Sequence, residues 1–330
     1  MKLREYEEIE GLWHNKTIDY FKEKGCFNED VEWVVTEKIH GSNFSFYYNG
    51  TEMKFASRGQ FIENPSSFFR SDVIVEKYSE NIKQLYEYLN TEYITPTKEL
   101  IVYGELFGGL FPNIKSKYKK IQKGVFYTPD LEFYVFDICI DGYYLAVDDV
   151  VQVCKDNGLF SIEILKSGSF NEIKDYPNDF PSTISKRLGL PEIEGNSCEG
   201  IVIKPNINIT LNETRVILKS KNDKFKEVSR SSTDRIAENE AIKEELKPII
   251  SKLHEYITEN RLRNVLSKIG TLTKKDFGKV LKLFKEDILK DYEKDGNMFN
   301  ITEDDKKYID SNINRMCADI FRPIFLSEAE

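Results

Sequence analysis

Cysteine is scarce. The 330 residues contain five, at Cys26, Cys139, Cys154, Cys198 and Cys317, and no two of them form a C-x-x-C pair. An odd, scattered set fits neither a zinc ribbon nor a disulfide framework, so a reducing interior is the simplest home. Long apolar runs are missing too. No stretch approaches 18 uninterrupted apolar residues, and no membrane-spanning helix is expected. The start, Met1-Lys2-Leu3-Arg4-Glu5-Tyr6-Glu7, lacks the apolar centre of a signal peptide, so a cytoplasmic location is expected (the host cytoplasm for a viral chain). There is no long internal repeat and no low-complexity tract. Excess positive charge is also absent: 47 Lys and Arg face 56 Asp and Glu, a net charge of −9. That excludes a uniformly basic nucleic-acid binder. It leaves room for a local basic site, because salt screens surface charges beyond about 8–10 Å.

What is present is a globular composition, 40% hydrophobic, 31% charged and 13% aromatic. The length suits roughly two domains. Two basic runs stand out. Residues 115–123, KSKYKKIQK, hold five lysines in nine positions, and residues 261–282 hold seven basic residues against one acid, Asp276. A charge run is most often a solvated face, so neither defines a site alone.

Up to about residue 235 the pattern mixes strands and helices. Val31 to Thr36 is β-branched and aromatic, a good strand. Phe44 to Tyr48 ends at Asn49-Gly50 and is followed by Met53 to Ala56. Phe133 to Ile140 runs into Asp141-Gly142, and Tyr143 to Val147 returns. Asn-Gly and Asp-Gly supply the positive φ angles of tight hairpins, which favours antiparallel sheets over a doubly wound parallel one. Val75, Tyr78, Ile82, Leu85, Tyr86 and Leu89 recur at helical spacing. Residues 148–158 read as a short helix ending at a glycine. Ile201 to Ile203 and Arg215 to Leu218 read as short buried strands. Near residue 236 the strand signals stop. Four helical stripes follow: Ile242 to Ile257; Val265 to Ile269, stopped by Gly270; residues 273–291; and Ile309 to Phe321, expected to end at Pro323. The polar stretch 221–234 reads as a linker. The expected fold class is α+β, with a first domain at 1–235 and an all-helical domain at 236–330.

Several segments carry chemistry-bearing residues. Glu37-Lys38-Ile39-His40-Gly41-Ser42-Asn43 places a lysine at a strand exit beside a glycine. Such an amine becomes a nucleophile when desolvation or neighbouring charge lowers its pKa; alone, it reads better as an exposed strand-end lysine. Cys198-Glu199-Gly200 precedes a buried strand that ends at Lys204. Lys219 and Lys221 are two apart, hence on one strand face, where an anion between them would relieve their repulsion. Glu105 sits among glycines, Phe136-Asp137 closes an apolar strand, and Ser57-Arg58-Gly59 follows the first hairpin.

In this order and spacing, the segments resemble the motifs of the covalent nucleotidyltransferase superfamily of ligases and capping enzymes. Lys38-Ile39-His40-Gly41 resembles its motif I, K-x-[DH]-G, and Arg58 the arginine of motif Ia. Glu105 resembles the acid of motif IIIa, Phe133 to Ile138 motif III, Glu199-Gly200 motif IV, and Lys219-Ser220-Lys221 motif V. Six elements in order across about 190 residues are specific where one K-x-H-G is not. Histidine at 40, where DNA ligases and capping enzymes usually carry aspartate, resembles the phage RNA ligase 2 family, which includes the kinetoplastid RNA-editing ligases. The tail from Asn260 to Val280 resembles that family's helical C-terminal domain. Residues 159–197 carry least of the likeness.

The resemblance implies an ATP-dependent RNA ligase that seals 3′-OH/5′-phosphate breaks, best at nicks in duplex RNA, through a lysyl-AMP and an RNA-adenylate. It implies ATP and Mg²⁺ (or Mn²⁺) as cofactors, RNA as partner, no membrane, and a monomer. It assigns catalytic roles to Lys38, His40, Asn43, Asp137, Lys219 and Lys221. Nucleotide binding falls to Lys38, Lys219 and Lys221 at the α-phosphate, Arg58 at a phosphate, Glu105 at the ribose and Phe136 stacked on adenine. Glu37 would face the adenine edge. Glu199 and Asp137 would serve the metal. RNA would be met by Ser42, by the adjacent Phe68 and Phe69, and by Arg261, Arg263 and Lys268. Residues 115–123 depart from the phage pattern as an added RNA-binding loop or a merely soluble one. A DNA ligase or a capping guanylyltransferase is the runner-up reading, disfavoured by His40 and the helical tail. An inactive RNA-binding relative is disfavoured by the intact lysines.

Overall fold

The computed structural model describes residues 1–92, 97–212, 214–226, 246–270, 273, 276–297 and 302–328. The chain divides into two compact units, Met1–Lys224 and Phe225–Glu330. The expected boundary at 235/236 and the stripe residue Ile242 lie outside the described residues.

In the first unit the order is β1 (Glu10–Gly11), α1 (Asn15–Glu23), β2 (Trp33–Lys38), β3 (Ser42–Tyr48), β4 (Met53–Ala56), α2 (Asp72–Glu92), β5 (Leu100–Leu110), β6 (Thr128–Ile140) and β7 (Tyr143–Tyr144). Then come α3 (Val147–Asp156), β8 (Ile164–Gly168), α4 (Phe170–Ile173), α5 (Ile184–Arg187), β9 (Gly200–Pro205), β10 (Thr210–Leu211), β11 (Thr214–Arg215) and β12 (Leu218–Lys221). One five-stranded sheet runs β1-β12-β9-β2-β8 and the other β4-β3-β5-β6-β7. Their strand pairs are antiparallel except β1 on β12. The α+β expectation therefore holds.

Both glycine-marked hairpins form. Asp141 (φ 50°) and Gly142 (φ 95°) make a two-residue turn with positive φ at both positions, and Ile140 pairs Tyr143 across it. At Asn49-Gly50 the loop is longer: Tyr48 pairs Met53, and Asn49 Oδ1 accepts from the backbone N–H groups of Thr51 and Glu52. The expected strand at 215–218 is split between β11 and β12.

Strand alternation sorts the side chains into layers. On the outer face of the first sheet, Trp33, Val35, Ile201, Ile203 and Leu218 pack with Phe21 and Phe170. On the outer face of the second, Phe44, Phe46 and Phe133 share ring contacts, with Tyr78 of α2 against Phe133. Between the sheets, Tyr47, Ile101, Tyr103 and Cys139 of the second meet Ile217 and Val202 of the first, with Tyr6 inserted. That layer is the floor of a cleft.

The second unit contains α6 (Lys247–Tyr256), α7 (Glu259–Ile269), α8 (Phe277–Lys294) and α9 (Glu303–Glu328), around one apolar core. Gly270 (φ 91°) follows α7, as its stripe predicts. One expectation fails: Pro323 lies inside α9 and does not end it. An internal proline costs about 3 kcal/mol. Phe321 and Phe325, 0% and 1% exposed, flank it and pack on Phe277. Burying two such rings contributes roughly 1.5–3 kcal/mol each, enough to carry the helix through. No helix among the described residues is long and apolar enough to cross a membrane, and all five cysteines are free and buried.

Candidate active site

The register of the first sheet aligns the lysines. Lys38 at the end of β2 and Lys221 at the end of β12 both pair with Gly200 of β9. Lys219 pairs with Val202, which pairs with Thr36. Directly paired residues share a face, so Lys38, Lys219 and Lys221 stand together on the inner face. The central strand position, Gly200, has no side chain to fill the gap. A Cβ there would sit 2.1 Å from the Ser220 carbonyl oxygen. The Glu199 carboxylate, 1% exposed, joins the two amines: Lys38 Nζ is 2.8 Å from Oε2 and Lys221 Nζ 3.2 Å from Oε1. His40 Nδ1 lies 3.7 Å from the same Oε2. Burial pushes the Glu199 carboxyl up, but Lys38, Lys221 and His40 together outweigh it and hold it at about 2.

The loop after Lys38 is shaped by contact with β5. A Cβ on Gly41 would lie 2.2 Å from the Leu106 carbonyl oxygen, so only glycine fits. Gly41 N–H donates to Glu105 Oε1 at 3.1 Å, and His40 N–H to the Tyr127 hydroxyl at 3.0 Å. Asn43 pairs Glu105 across β3 and β5. Burial of the Glu105 carboxyl end pushes it up to about 7; Lys38 and Arg58 pull it down, while Glu199 repels it. Arg58 follows β4, and its buried Nε has no hydrogen-bond partner. A buried guanidinium N–H without a partner, on an arginine whose charge is felt by the Glu105 carboxylate, suits an anion.

A β-bulge supplies the other wall. Tyr103 pairs Asp137 and Gly104 pairs Val135, leaving Phe136 as the extra residue. Phe136 and Asp137 therefore both reach the inter-sheet layer, where alternation alone would send one of them outward. Tyr6 meets both. Its ring meets Phe136 edge-on at 4.8 Å, and its hydroxyl donates to Asp137 Oδ2. Asp137 also receives Lys204 Nζ at 2.8 Å and Arg215 at 3.1 Å. Burial raises the Asp137 carboxyl, and Lys204 and Arg215 overcome that to hold it at about 2. Arg215 in turn lies over the Tyr144 ring at 3.5 Å.

The sequence-derived site residues thus separate. Lys38, His40 and Lys221 converge on Glu199. Arg58, Glu105 and Asn43 line the second sheet beside them, and Lys219 stands on the same strand face. Phe136 lies half-buried on the bulge. Five assignments need correction. Glu37 points away from Lys38, as alternation requires; its carboxylate accepts from Ser182, Thr183 N–H and the Thr183 hydroxyl on the opposite face, so it does not face the cleft. Asp137, 1% exposed, is bound by Lys204, Arg215 and Tyr6, all outside the Lys38–Glu199–Lys221 cluster, so the structure gives it a bracing place rather than one beside the amines. Ser42 is 2% exposed and Phe68 3%, the latter stacked on Phe44, so neither offers RNA a surface. Arg261 is 0% exposed and bound to Asp287 and Asp291, both at 2.7 Å; it is a core ion pair of α7 and α8. Phe69 is half-buried. Arg263 pairs Glu259, and Lys268, 42% exposed, pairs Asp287. Tyr6, Tyr127, Lys204 and Arg215 hold the site from behind. Of these only Lys204, at the end of a strand that follows Glu199-Gly200, carries a sequence signal.

Among the described residues no group of three or more His, Cys, Asp or Glu is spaced to hold a metal. One buried carboxylate, Glu199, still suits Mg²⁺, which is commonly held by one or two carboxylates plus substrate phosphates.

Two facing antiparallel sheets, with a strand-end lysine against a buried glutamate and a second strand-end lysine, define a nucleotidyltransferase fold. The RNA ligase family matches residues 31–221, and the T4 RNA ligase 2 C-terminal family matches 239–319. The chain therefore belongs to the RNA ligase family, ATP-dependent enzymes that join RNA ends. It is 28% identical over 329 residues to RNA-editing ligase 2, mitochondrial, of Trypanosoma brucei brucei, covering 82% of this chain and 79% of that one. It is 27% identical over 210 residues to RNA-editing ligase 1, mitochondrial, of the same organism, covering 52% of this chain and 44% of that one. A solved Naegleria gruberi RNA ligase with PPi is similar at TM-score 0.45 and 17% identity, covering 68% of this chain and 57% of that one.

Proposed function

We propose that this chain seals 3′-OH/5′-phosphate breaks in RNA, preferably nicks in duplex, with Lys38 as the carrier of AMP. Lys38 Nζ forms a bond to the α-phosphorus of ATP; the bond to the pyrophosphate oxygen breaks, and the amine loses a proton. A 5′-phosphate oxygen of RNA then takes that phosphorus, and the P–N bond breaks as Lys38 regains its proton. Last, a 3′-hydroxyl oxygen attacks the activated 5′-phosphate, and AMP leaves. Positioning and charge neutralisation supply most of the rate in such transfers.

Lys219 and Lys221 cradle the α-phosphate, and Arg58 grips a neighbouring phosphate with its planar fork. Phe136 stacks on adenine, while Glu105 accepts from ribose hydroxyls. Glu199 anchors Lys38 before the reaction and would hold a divalent metal, which would supply charge neutralisation at the phosphates. His40 and Asn43 orient the reacting ends. Asp137 is a positioning residue: it holds Lys204, which donates to the Phe136 carbonyl at 3.1 Å. Residues 1–235 act as the adenylyltransferase part and 236–330 as the RNA-holding part, with Arg263 and Lys268 on its basic surface, and the enzyme works as a monomer. The five buried thiols support a reducing compartment, the cytoplasm first.

The observation that carries this reading is the union of Lys38, Glu199, Lys221 and His40 in one buried cluster beside an orphaned Arg58. The test is a sealing panel with ATP and magnesium: nicked duplex RNA, nicked duplex DNA and single-stranded RNA. Fastest joining is expected on nicked duplex RNA. Preference for nicked DNA, or nucleotide transfer from GTP alone, would overturn it.

A further inference from the structure

Residues 106–129 contain five lysines and no Asp or Glu, on a chain of net charge −9. The structure gives this stretch a fixed form. It leaves β5 at Phe111, which bridges to Ile114. Ser116 Oγ receives Tyr118 N–H at 2.9 Å and donates to its carbonyl at 3.0 Å, closing a tight turn. The segment then folds back on β5: Ile121 N–H donates to the Gly108 carbonyl at 3.1 Å, and the Ile121 side chain is buried. The backbone at Lys119 runs so close that a Cβ on Gly109 would lie 2.5 Å from its carbonyl oxygen. Gln122 Nε2 donates to the Gly41 carbonyl at 3.2 Å, so the loop is tied to the turn that follows Lys38. Lys115, Lys117 and Lys119 are exposed.

An aromatic component accompanies the charge. Lys117 Nζ sits 5.1 Å from the centre of the half-buried Tyr118 ring. Arg70, exposed, is held by Asp72 at 3.0 Å. Phe69 and Arg70 both hold left-handed backbone, φ 50° and 57°, which non-glycine residues rarely adopt. Lys115 and Lys117, two apart in a stretch without Asp or Glu, repel one another, and a polyanion relieves that repulsion. Exposed lysines with a tyrosine ring among them suit a phosphodiester backbone. The α-phosphate does not need them, because Lys38, Lys219, Lys221 and Arg58 already serve it.

We propose that residues 112–123 form an RNA-backbone clamp at the rim of the adenylylation cleft, using Lys115, Lys117 and Lys119 to hold the strand whose end enters the site. The proposal rests on the RNA ligase reading and adds to it a second basic surface, outside the helical unit. The test is the full-length triple variant Lys115→Gln, Lys117→Gln, Lys119→Gln beside wild type. Self-labelling with α-labelled ATP should stay within about two-fold, because no nucleotide contact is removed. Sealing of nicked duplex RNA at about 0.15 M salt should fall about ten-fold or more, and the log–log salt slope of RNA binding should shrink by about two to three, near one per lysine lost. Unchanged sealing and slope would overturn the clamp, as would a parallel loss of labelling and sealing, which would assign the loop to the nucleotide. Wild type that labels but joins no RNA would instead strike the RNA ligase reading itself.

Discussion

At the scale of single residues, the site is a problem of charge compensation. Glu199 and Asp137 are both buried carboxylates held near 2, one by the reacting lysine and its neighbours, the other by Lys204 and Arg215. Their functions differ because their partners do. In the proposed mechanism Glu199 is bound to an amine that parts from it before attacking phosphorus, whereas Asp137 is bound to two cations with no part in the transfer. Asp137→Asn should strand those cations and destabilise the protein by about 3–5 kcal/mol, visible as a lowered thermal midpoint. Because a carboxylate with a depressed folded pKa contributes stability above its unfolded value near 3.9, that contribution should fade as pH falls from about 4 towards 2. An acid titration of wild type should show the loss, and the Asp137→Asn variant should lack the Asp137 share of it. Glu105 behaves oppositely. With its carboxyl raised to about 7, it is largely protonated below that pH and becomes, above it, the full acceptor that its proposed ribose role requires. ATP affinity measured by calorimetry should therefore rise through neutrality, and Glu105→Gln should flatten the rise.

At the scale of elements, the N-terminal segment does more than its sequence advertises. Tyr47 and Tyr103 donate to the Arg4 carbonyl, Tyr6 braces Phe136 and Asp137, and Leu12 N–H donates to the Lys219 carbonyl at 2.9 Å. One strap thus touches both sheets and fixes the strand that carries Lys219 and Lys221. Tyr6→Phe keeps the ring and removes the bond to Asp137. It should raise KM for ATP by several-fold while leaving the fold intact, as judged by circular dichroism. Much of the rest was legible. The two glycine turns, the shared face of Lys219 and Lys221 and the helical stripes follow from local periodicity. Glu37 was legible in principle, since strand alternation alone turns it away from Lys38. The bulge at Phe136 was not, because an extra residue in one strand appears only once its partner is known. Phe68 and Arg261 were misread for a related reason: an aromatic or basic residue carries no mark of burial until its neighbours across the core, Phe44 in one case and Asp287 with Asp291 in the other, are in place. Pro323 shows local propensity losing to packing.

At the scale of the whole molecule, the cleft residues Lys38, His40, Arg58, Glu105, Phe136, Glu199, Lys219 and Lys221 all fall in the unit Met1–Lys224, which has its own apolar cores. A chain ending at residue 226 should therefore still label itself from ATP while losing most joining of nicked RNA, a separation that parallel labelling and sealing assays would read. The net negative charge is compatible with an RNA enzyme because the chain's basic residues are concentrated in the runs 115–123 and 261–282, and charge acts locally within a screening length. The account stands or falls on the atom that carries AMP. Protein stripped of nucleotide, incubated with ATP and magnesium, then digested and sequenced by mass spectrometry, should show one adenylyl group on Lys38 Nζ and none in the Lys38→Ala variant. An adenylyl group on any other residue, or no transfer to freshly stripped wild type, would contradict it.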